Sequence, residues 1–171
     1  MRKKSARAVV ADGLPDLYPR LWRFCLVLTR DRNMADDLAQ MTCERALAKA
    51  DKFMPGTDLD RWLFTIARRL WLNDIRAAKV RQGAGLVAIE DSDLADEKPT
   101  AEANIFAREV FDLVQTLPEA QRLTVLLVYV EGHSYRDAAA ILEIPVGTVM
   151  SRLASARKAI SAAAARTGLD G

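Results

Sequence analysis

Residues 133–160 read HSYRDAAAILEIPVGTVMSRLASARKAI, and this stretch decides the fold prediction because two short helical patterns meet in it at a proline-marked break. Ser134 and Asp137 have the S-x-x-D spacing of a capping box, which predicts the start of the first helix. A second helical pattern begins just after Pro145 and contains no acidic residue. A short helix, a tight turn and a second helix of this kind are typical of a helix-turn-helix, whose second helix fits the major groove of DNA. A helical hairpin with a purely structural role is the alternative for this stretch.

Apolar residues at helical spacing predict which faces of these two helices pack together. They are Tyr135, Ala138, Ala139 and Leu142 on the first helix, and Val146, Val149, Leu153, Ala156 and Ile160 on the second. No acid occurs between residues 145 and 166, so the basic charge there is unopposed and available to phosphates. Glu143 occupies the turn, and because a glutamate resists a positive φ, we expect a slightly remodelled turn.

Charge is distributed unevenly along the 171 residues, although the formal net charge is only +2. Residues 61–81 and residues 145–166 are both basic, and the segment between these blocks is acidic. Residues 82–104 contain glycine, proline and acids without an apolar period. They are therefore predicted to be a flexible linker and a domain boundary.

Three helices are predicted before the linker, and nothing in the chain shows sustained strand alternation. In the first helix the apolar residues run from Leu14 to Leu28 at intervals of three and four, and Pro19 is expected to perturb its first turns. Residues 1–13 are interpreted as a basic, solvated tail. The predicted fold class is all-α, with two small helical domains joined by a flexible acidic linker, the second a helix-turn-helix domain.

The second and third helices of the first half follow from cap and apolar patterns. Asn33 is predicted to be the N-cap of a helix from Met34 to about Lys52. The third helix is predicted from Leu59 to about Val80, with Trp62 and Trp71 beside its apolar stripe. For both tryptophans, packing in the core is favoured over stacking on bases.

Cysteine and histidine content argues against a metal site. Cys25 and Cys43 are the only cysteines, no CxxC spacing occurs, and His133 is the only histidine. The cysteines are interpreted as small packing residues in a reduced, cytoplasmic compartment, and His133 is given no role. No run approaches the roughly 20 apolar residues that span a bilayer, and the N-terminus lacks a signal-peptide apolar region. No membrane insertion is therefore expected.

Several segments, in both halves of the chain, match one family pattern. They are LPEAQR, LLVYVEG, SYRDAAAIL and IPVGTVMSRLASAR in the second half, and DDLAQMTCERAL and RWLFTIARRLWLNDIR in the first. With these segments the chain resembles a bacterial extracytoplasmic-function (ECF) sigma factor, from the smallest class of the proteins that give RNA polymerase its promoter specificity. The resemblance implies that residues 14–81 are sigma region two, which docks on core polymerase and binds the minus-ten element. It implies that residues 105–171 are sigma region four, which binds the minus-thirty-five element.

For region two, the resemblance implies two contact surfaces. The surface for the beta-prime clamp helices of core RNA polymerase would comprise Asp37, Gln40 and Met41, which share one helix face. A solvated helix face has the same pattern, and Met41 stands where the family usually has glutamate. The melted minus-ten element would be bound by Arg68, Arg69, Asn73, Arg76 and Lys79. Arg69 replaces an asparagine that is frequent in the family.

For region four, the resemblance implies contacts to duplex DNA at the minus-thirty-five element. The residues implied are Thr148, Ser151, Arg152, Ser155, Arg157 and Lys158. Among them, Arg157 is interpreted as a phosphate contact or an intramolecular partner. Met150 and Ser155 stand where the family often has basic residues.

The function implied by the resemblance is that of a non-enzymatic transcription initiation factor, with no cofactor and no metal. Its partners would be core RNA polymerase, promoter DNA and an anti-sigma factor. Two alternatives stay open from the sequence: a stand-alone helix-turn-helix regulator that binds operators by itself, and a sigma mimic that sequesters an anti-sigma factor.

Overall fold

The structure is a computed structural model that describes residues 5–81 and 114–167, except the side chains at 79, 81, 164, 166 and 167. The described residues form helices and contain no β-strand, which confirms the all-α prediction. The chain divides into two compact units, Met1–Leu94 and Ala95–Gly171. The predicted linker, residues 82–104, lies outside the described residues.

Residues 6–81 of the first unit form three α-helices and a short 3-10 turn. Helix α1 spans Ala6–Thr29, α2 spans Arg32–Ala48 and is followed by the 3-10 turn Ala50–Lys52, and α3 spans Leu59–Arg81. Their buried apolar residues include Leu21, Phe24 and Leu28 on α1, Leu38 and Ala39 on α2, and Leu63, Phe64, Ala67 and Trp71 on α3. Phe24 and Phe64 stack with ring centroids 4.8 Å apart, so α1 and α3 meet through their aromatic side chains.

Helix α1 starts earlier than the sequence predicted, and the interpretation of residues 1–13 as a tail is wrong from Ala6 onward. Ser5 caps the helix, because its hydroxyl oxygen accepts a hydrogen bond from the Ala8 backbone N–H at 3.2 Å. Val10 is fully buried, so these early turns gain apolar contact as well as a cap.

The prolines in α1 do not end the helix, although Pro19 was expected to perturb its first turns. The helix runs through Pro15 and Pro19, and each ring leaves the carbonyl four residues earlier without its backbone donor. Both prolines are exposed, so they lie on the solvent side of α1, where water can hydrogen-bond the freed carbonyls.

Helix α2 is capped by Asp31, and the prediction of Asn33 as the cap is wrong. The Asp31 carboxylate accepts a hydrogen bond from the Met34 backbone N–H at 2.8 Å. Arg30 precedes it with a φ of 57°, and the Thr29 hydroxyl donates to the Asp31 carbonyl at 2.9 Å. This tight turn ends α1 and starts α2 two residues before the predicted cap.

In the second unit, residues 119–167 form three helices and one wide helical turn. Helix α4 spans Glu119–Val125 and continues into the π-helical turn Leu126–Val130, α5 spans Tyr135–Leu142, and α6 spans Val146–Thr167. The apolar core of the unit includes Leu123, Leu127, Ala138, Ile141, Leu142, Val149, Leu153 and Ala156. The α5–α6 pair bends by 103°, which lies within the range of about 90–120° typical of a helix-turn-helix.

The capping box at the start of α5 is confirmed. The Ser134 hydroxyl oxygen accepts a hydrogen bond from the Asp137 backbone N–H at 3.1 Å and donates to the Asp137 carboxylate at 2.6 Å. The predicted inner faces need two corrections, because Tyr135 and Val146 are each 38% exposed. Each is the first residue of its helix, so its side chain lies at the edge of the packed face.

Glu143 adopts the positive φ that it was expected to resist, so the prediction of a remodelled turn is wrong. Its φ is 51° and its ψ is 48°, the left-handed conformation. The Glu143 N–H donates to the Ala140 carbonyl at 3.3 Å, and the Ile144 N–H donates to the Ala139 carbonyl at 3.0 Å. These two bonds form a Schellman motif, which offsets the cost of about 1–2 kcal/mol for a left-handed side-chain residue.

Arg122 is a buried arginine that stabilises the entry to α4. It is only 4% exposed, and its Nη1 donates to the Leu117 carbonyl at 2.7 Å and to the Gln115 carbonyl at 3.4 Å. These carbonyls belong to the turn that precedes α4, so Arg122 connects that turn to the helix core.

Replacing Arg122 with Ala should lower the free energy of unfolding of the second unit by about 2–4 kcal/mol, since it leaves a buried carbonyl unsatisfied and a cavity behind. Native-state hydrogen exchange at amides of α5 and α6 measures this loss. Arg136 is exposed in the same unit, and Arg136→Ala is the matched control with little expected change. Equal exchange rates in both variants would show that the buried contacts contribute nothing.

Candidate functional site

The exposed face of α2 carries the three residues predicted to dock on polymerase. Asp37, Gln40 and Met41 are all exposed, Met41 to 41%. The Gln40 amide donates to the Glu44 carboxylate at 3.2 Å along the same helix. Because Ala39 on the other side of α2 is buried, the structure brings the three predicted residues together on one outward surface.

Two neighbours of this face were missed by the sequence prediction. Met34 is 44% exposed and lies two helical turns before Met41, a spacing that was visible in the sequence. Trp22 of α1 donates its indole N–H to the Asp36 carboxylate at 2.6 Å, a contact between helices that no local pattern indicates. The Arg32 guanidinium lies 5.9 Å from the Trp22 ring centroid. Asp36 is thus hydrogen-bonded to α1. Asp37, the next residue in the chain, carries the carboxylate that lies on the outer face.

Helix α3 presents three of the five residues predicted for the minus-ten element on a common face. Arg69, Asn73 and Arg76 are exposed and fall within about 60° of one another around the helix axis. Arg68 is half-buried and lies about 100° around the helix from Arg69. The Lys79 side chain lies outside the described residues.

Both tryptophans of α3 pack inside the first unit, as predicted. Trp71 is only 4% exposed, and Trp62 is half-buried with its ring centroid 5.3 Å from that of Phe53. The polar face of α3 is therefore backed by aromatic packing.

Helix α6 carries the residues predicted to contact duplex DNA. Ser151, Ser155 and Lys158 are exposed, and Thr148 and Arg152 are half-buried. The Ser151 hydroxyl donates to the Thr148 carbonyl at 3.0 Å, so its oxygen remains an acceptor towards the outside. These five residues lie on the outward and one lateral side of a helix whose inner side is buried.

Arg157 differs from the other predicted contacts, because it has an intramolecular partner. Its Nη1 donates to the Tyr129 hydroxyl oxygen at 2.7 Å. This hydrogen bond is the main reason why the pKa of Arg157 lies above its ordinary value, and nearby Tyr135 raises the pKa by a smaller amount. The alternative that Arg157 serves as an intramolecular partner is confirmed by this contact.

The two cysteines are free thiols that pack between helices. Cys25 is fully buried and Cys43 is half-buried. Burial, with a smaller contribution from neighbouring Cys43, raises the pKa of Cys25 from 9.0 to about 12, and burial also raises the pKa of Cys43. The reactive thiolate form is disfavoured at both, which agrees with their predicted packing role.

Stability of the first unit should fall at alkaline pH through Cys25. Its pKa is higher in the folded state, so its contribution is fully present below about pH 9 and is lost as pH rises towards about 12. Urea unfolding followed by tryptophan fluorescence measures this decline. In Cys25→Ala the decline should be smaller than in the unmodified chain; an identical decline would show that this thiol does not cause it.

Within residues 5–81 and 114–167, no group of three or more His, Cys, Asp or Glu side chains is placed to hold a metal ion. Over the same residues no single helix is long and apolar enough to cross a membrane, and the bent pair α5–α6 passes such a test by length and composition only.

Two family models match the chain, in the order of its two units. The model described as Sigma-70 region 2 matches residues 16–81, which contain α2 and α3. The model described as Sigma-70, region 4 matches residues 107–160, which contain α4, α5 and most of α6.

Relatives of known class match most of the chain. The ECF RNA polymerase sigma factor EcfG of Rhodopseudomonas palustris (strain TIE-1) is 39% identical over 156 residues, covering 88% of this chain and 82% of that protein. The ECF RNA polymerase sigma factor SigC of Mycobacterium tuberculosis (strain CDC 1551 / Oshkosh) is 36% identical over 151 residues, covering 88% of this chain and 80% of that protein. Among solved structures, the sigma factor RpoE in complex with the anti-sigma factor NepR from Bartonella quintana is 29% identical, with a TM-score of 0.70, and the match covers 94% of this chain and 98% of that one. The chain therefore belongs to the extracytoplasmic-function family of RNA polymerase sigma factors, the non-enzymatic factors that direct promoter-specific transcription initiation.

Proposed function

We propose that this chain joins core RNA polymerase through α2 and recognises two promoter elements, one with α3 and the other with α6. The observation that carries the proposal is that each of these helices exposes a polar face while its opposite face is buried in the core of its own unit. A partner can bind to such a face without any loss of packing inside the unit.

The α2 face, defined as Met34, Asp37, Gln40 and Met41, suits a basic and partly apolar partner such as the beta-prime clamp helices. The exposed Asp37 carboxylate gives charge complementarity to a basic surface. The methionines, exposed to 44% and 41%, add flexible apolar area that loses contact with water on docking. The hydrogen bond between Trp22 and Asp36 stabilises the position of the α2 face, because it connects α2 to α1.

The face of α3 is proposed to take the melted minus-ten strand. Arg69 and Arg76 supply positive charge along a single-strand backbone, and the Asn73 amide can both donate to and accept from a base edge. Arg68 and Lys79 complete the proposed set.

The proposed role of α6 is to lie in the major groove at the minus-thirty-five element. Arg152 and Lys158 would neutralise phosphates, and the hydroxyls of Thr148, Ser151 and Ser155 would bond to phosphates or base edges. The 103° bend between α5 and α6 supports this role, since it is the geometry in which the second helix of the motif projects from its unit.

An anti-sigma factor is the proposed controlling partner. The sigma factor RpoE, whose structure is similar to this chain, was solved in complex with the anti-sigma factor NepR. A protein that covers the α2 face would exclude core polymerase by competition for the same residues. In this proposal the chain needs no cofactor, catalyses no reaction itself and acts in the cytoplasm, where polymerase and promoters are.

Run-off transcription tests the proposal. The purified chain is mixed with core RNA polymerase and a library of promoter fragments, and the transcribed templates are sequenced. We expect transcripts only when the chain is added, from templates that share two short elements at a fixed spacing. Core polymerase alone is the control.

The two alternatives predict different results in the same experiment. A stand-alone regulator would bind an operator tightly by itself and yield no transcript with any core enzyme. A sigma mimic would bind an anti-sigma factor but neither core polymerase nor promoter DNA. Either result would contradict the proposed function.

A further inference from the structure

Arg157 connects two segments of the second unit. Its Nη1 donates to the Tyr129 hydroxyl oxygen at 2.7 Å, across 28 residues of sequence. Tyr129 lies in the π-helical turn Leu126–Val130, and Arg157 lies within α6. One guanidinium therefore links the turn at the end of the α4 segment to the recognition helix.

The wide turn fixes the backbone that carries Tyr129. The Glu131 N–H donates to the Leu126 carbonyl at 2.9 Å, and the His133 N–H donates to the Leu127 carbonyl at 2.9 Å. Turns of this π type are rare and are frequently found at functional sites. Tyr129 is thus presented from a segment with hydrogen bonds of its own, and it does not depend on Arg157 for its place.

Arg157 lies on a different flank of α6 from the polar residues proposed to meet DNA. At about 100° per residue, it is about 140° around the helix from Arg152 and about 160° from Ser155. Its own flank carries Val146 and Met150, which are 38% and 54% exposed. A flank with two exposed apolar side chains matches the phosphate backbone poorly, because phosphates attract positive charge.

We infer that Arg157 is a positioning residue for promoter recognition and not a contact to DNA. Tyr129 holds its guanidinium, and this link fixes the rotation of α6 about its own axis, so that the flank with Arg152 and Ser155 meets the duplex. The inference rests on the proposed function, since it requires α6 to lie at the minus-thirty-five element.

Rotation of α6 affects sequence recognition more than general attraction to DNA. Base-edge contacts require side chains placed within about 0.5 Å and 10–20° of their proper geometry. Attraction between basic residues and phosphates is less directional and carries no sequence information. Loss of the Tyr129–Arg157 link should therefore reduce the preference for the correct element and leave the salt dependence of binding unchanged.

Holoenzyme containing Tyr129→Phe, Arg157→Ala or both substitutions provides the test. Each is titrated with a promoter fragment obtained from the run-off selection and with the same fragment carrying a scrambled minus-thirty-five element. We expect the ratio of the two Kd values to fall about threefold in each single variant and no further in the double variant, because both changes remove the same link.

The slope of log Kd against log salt concentration separates positioning from phosphate contact. It should stay at the wild-type value in Arg157→Ala, whereas Arg152→Ala, the matched control, should lower its magnitude by about one. A decrease of about one in the magnitude of this slope in Arg157→Ala, with an unchanged slope in Tyr129→Phe, would show that Arg157 contacts a phosphate. That result would overturn the inference.

Two further outcomes would also overturn it. Equal losses on both fragments, with a lower melting temperature of the second unit, would mean that the link only stabilises the fold. Wild-type holoenzyme that shows no preference between the two fragments would contradict the proposed role of α6 itself, and the inference about Arg157 would fall with it.

Discussion

Asp37→Arg should weaken the binding of core RNA polymerase by about a hundredfold or more, because like charges facing each other at an interface cost several kcal/mol. Asp37 is exposed on α2, so the substitution removes no buried contact and the helical content should stay the same. Titration of labelled chain with core polymerase measures the affinity, and circular dichroism measures the helicity.

Asp51→Arg is the matched control for this charge reversal. Asp51 lies in the same unit, its side chain is 71% exposed, and it belongs to the turn after α2 and not to the α2 face. This variant should bind polymerase like the unmodified chain. Unchanged polymerase binding by Asp37→Arg would refute the proposed docking face, and equal losses in both variants would point to a general effect of net charge.

Arg152→Ala should weaken binding of the holoenzyme to its promoter duplex by about tenfold, since one contact of this kind contributes about 1–3 kcal/mol. Arg152 is half-buried on α6, and a long basic side chain can bury its stem while its charged end stays in water. Fluorescence anisotropy over a series of salt concentrations gives both the affinity and the salt slope. Polymerase association, which we assign to the other unit, should not change.

Arg7→Ala provides the same loss of charge at a distant position. Arg7 is exposed near the start of α1 in the first unit. The Arg7→Ala substitution should leave both the promoter affinity and the salt dependence of that affinity unchanged. If Arg152→Ala likewise changes neither, α6 is not the recognition helix.

Features that depend on neighbours in sequence were predictable. The capping box of Ser134 and Asp137 is a contact over three residues, and the structure contains it with a distance of 3.1 Å. The start of α3 at Leu59 follows a proline and a glycine that break the preceding pattern. In both cases the physical cause lies within a few residues of its effect.

Contacts between distant segments were not predictable in the same way. The Trp22 indole meets Asp36 only because α1 and α2 pack side by side, and Tyr129 meets Arg157 only because a wide turn carries it. Neither pairing leaves a pattern in the spacing of residues. The sequence therefore indicated which helix faces are exposed, but not which side chains on these helices are hydrogen-bonded to a distant segment.

Two local predictions failed because the hydrogen bonding of a turn overrides the preference of a single residue. Asp31 and Asn33 are both good N-cap residues, and the turn at Arg30 decides in favour of Asp31. Glu143 is unfavourable at positive φ, yet the hydrogen bonds of the Schellman motif impose that conformation. The conformational preference of a single residue is a weak guide where several backbone hydrogen bonds depend on one turn.

The hydrogen bond between Trp22 and Asp36 has a practical consequence for spectroscopy. The chain has three tryptophans, Trp22, Trp62 and Trp71, and all of them lie in the first unit. Fluorinated tryptophan incorporated into this chain would thus give reporter resonances from that unit alone, with no background from unlabelled polymerase. The resonance of Trp22, beside the α2 face, would shift when a partner docks, while the resonance of the buried Trp71 would serve as an internal reference for the folded core.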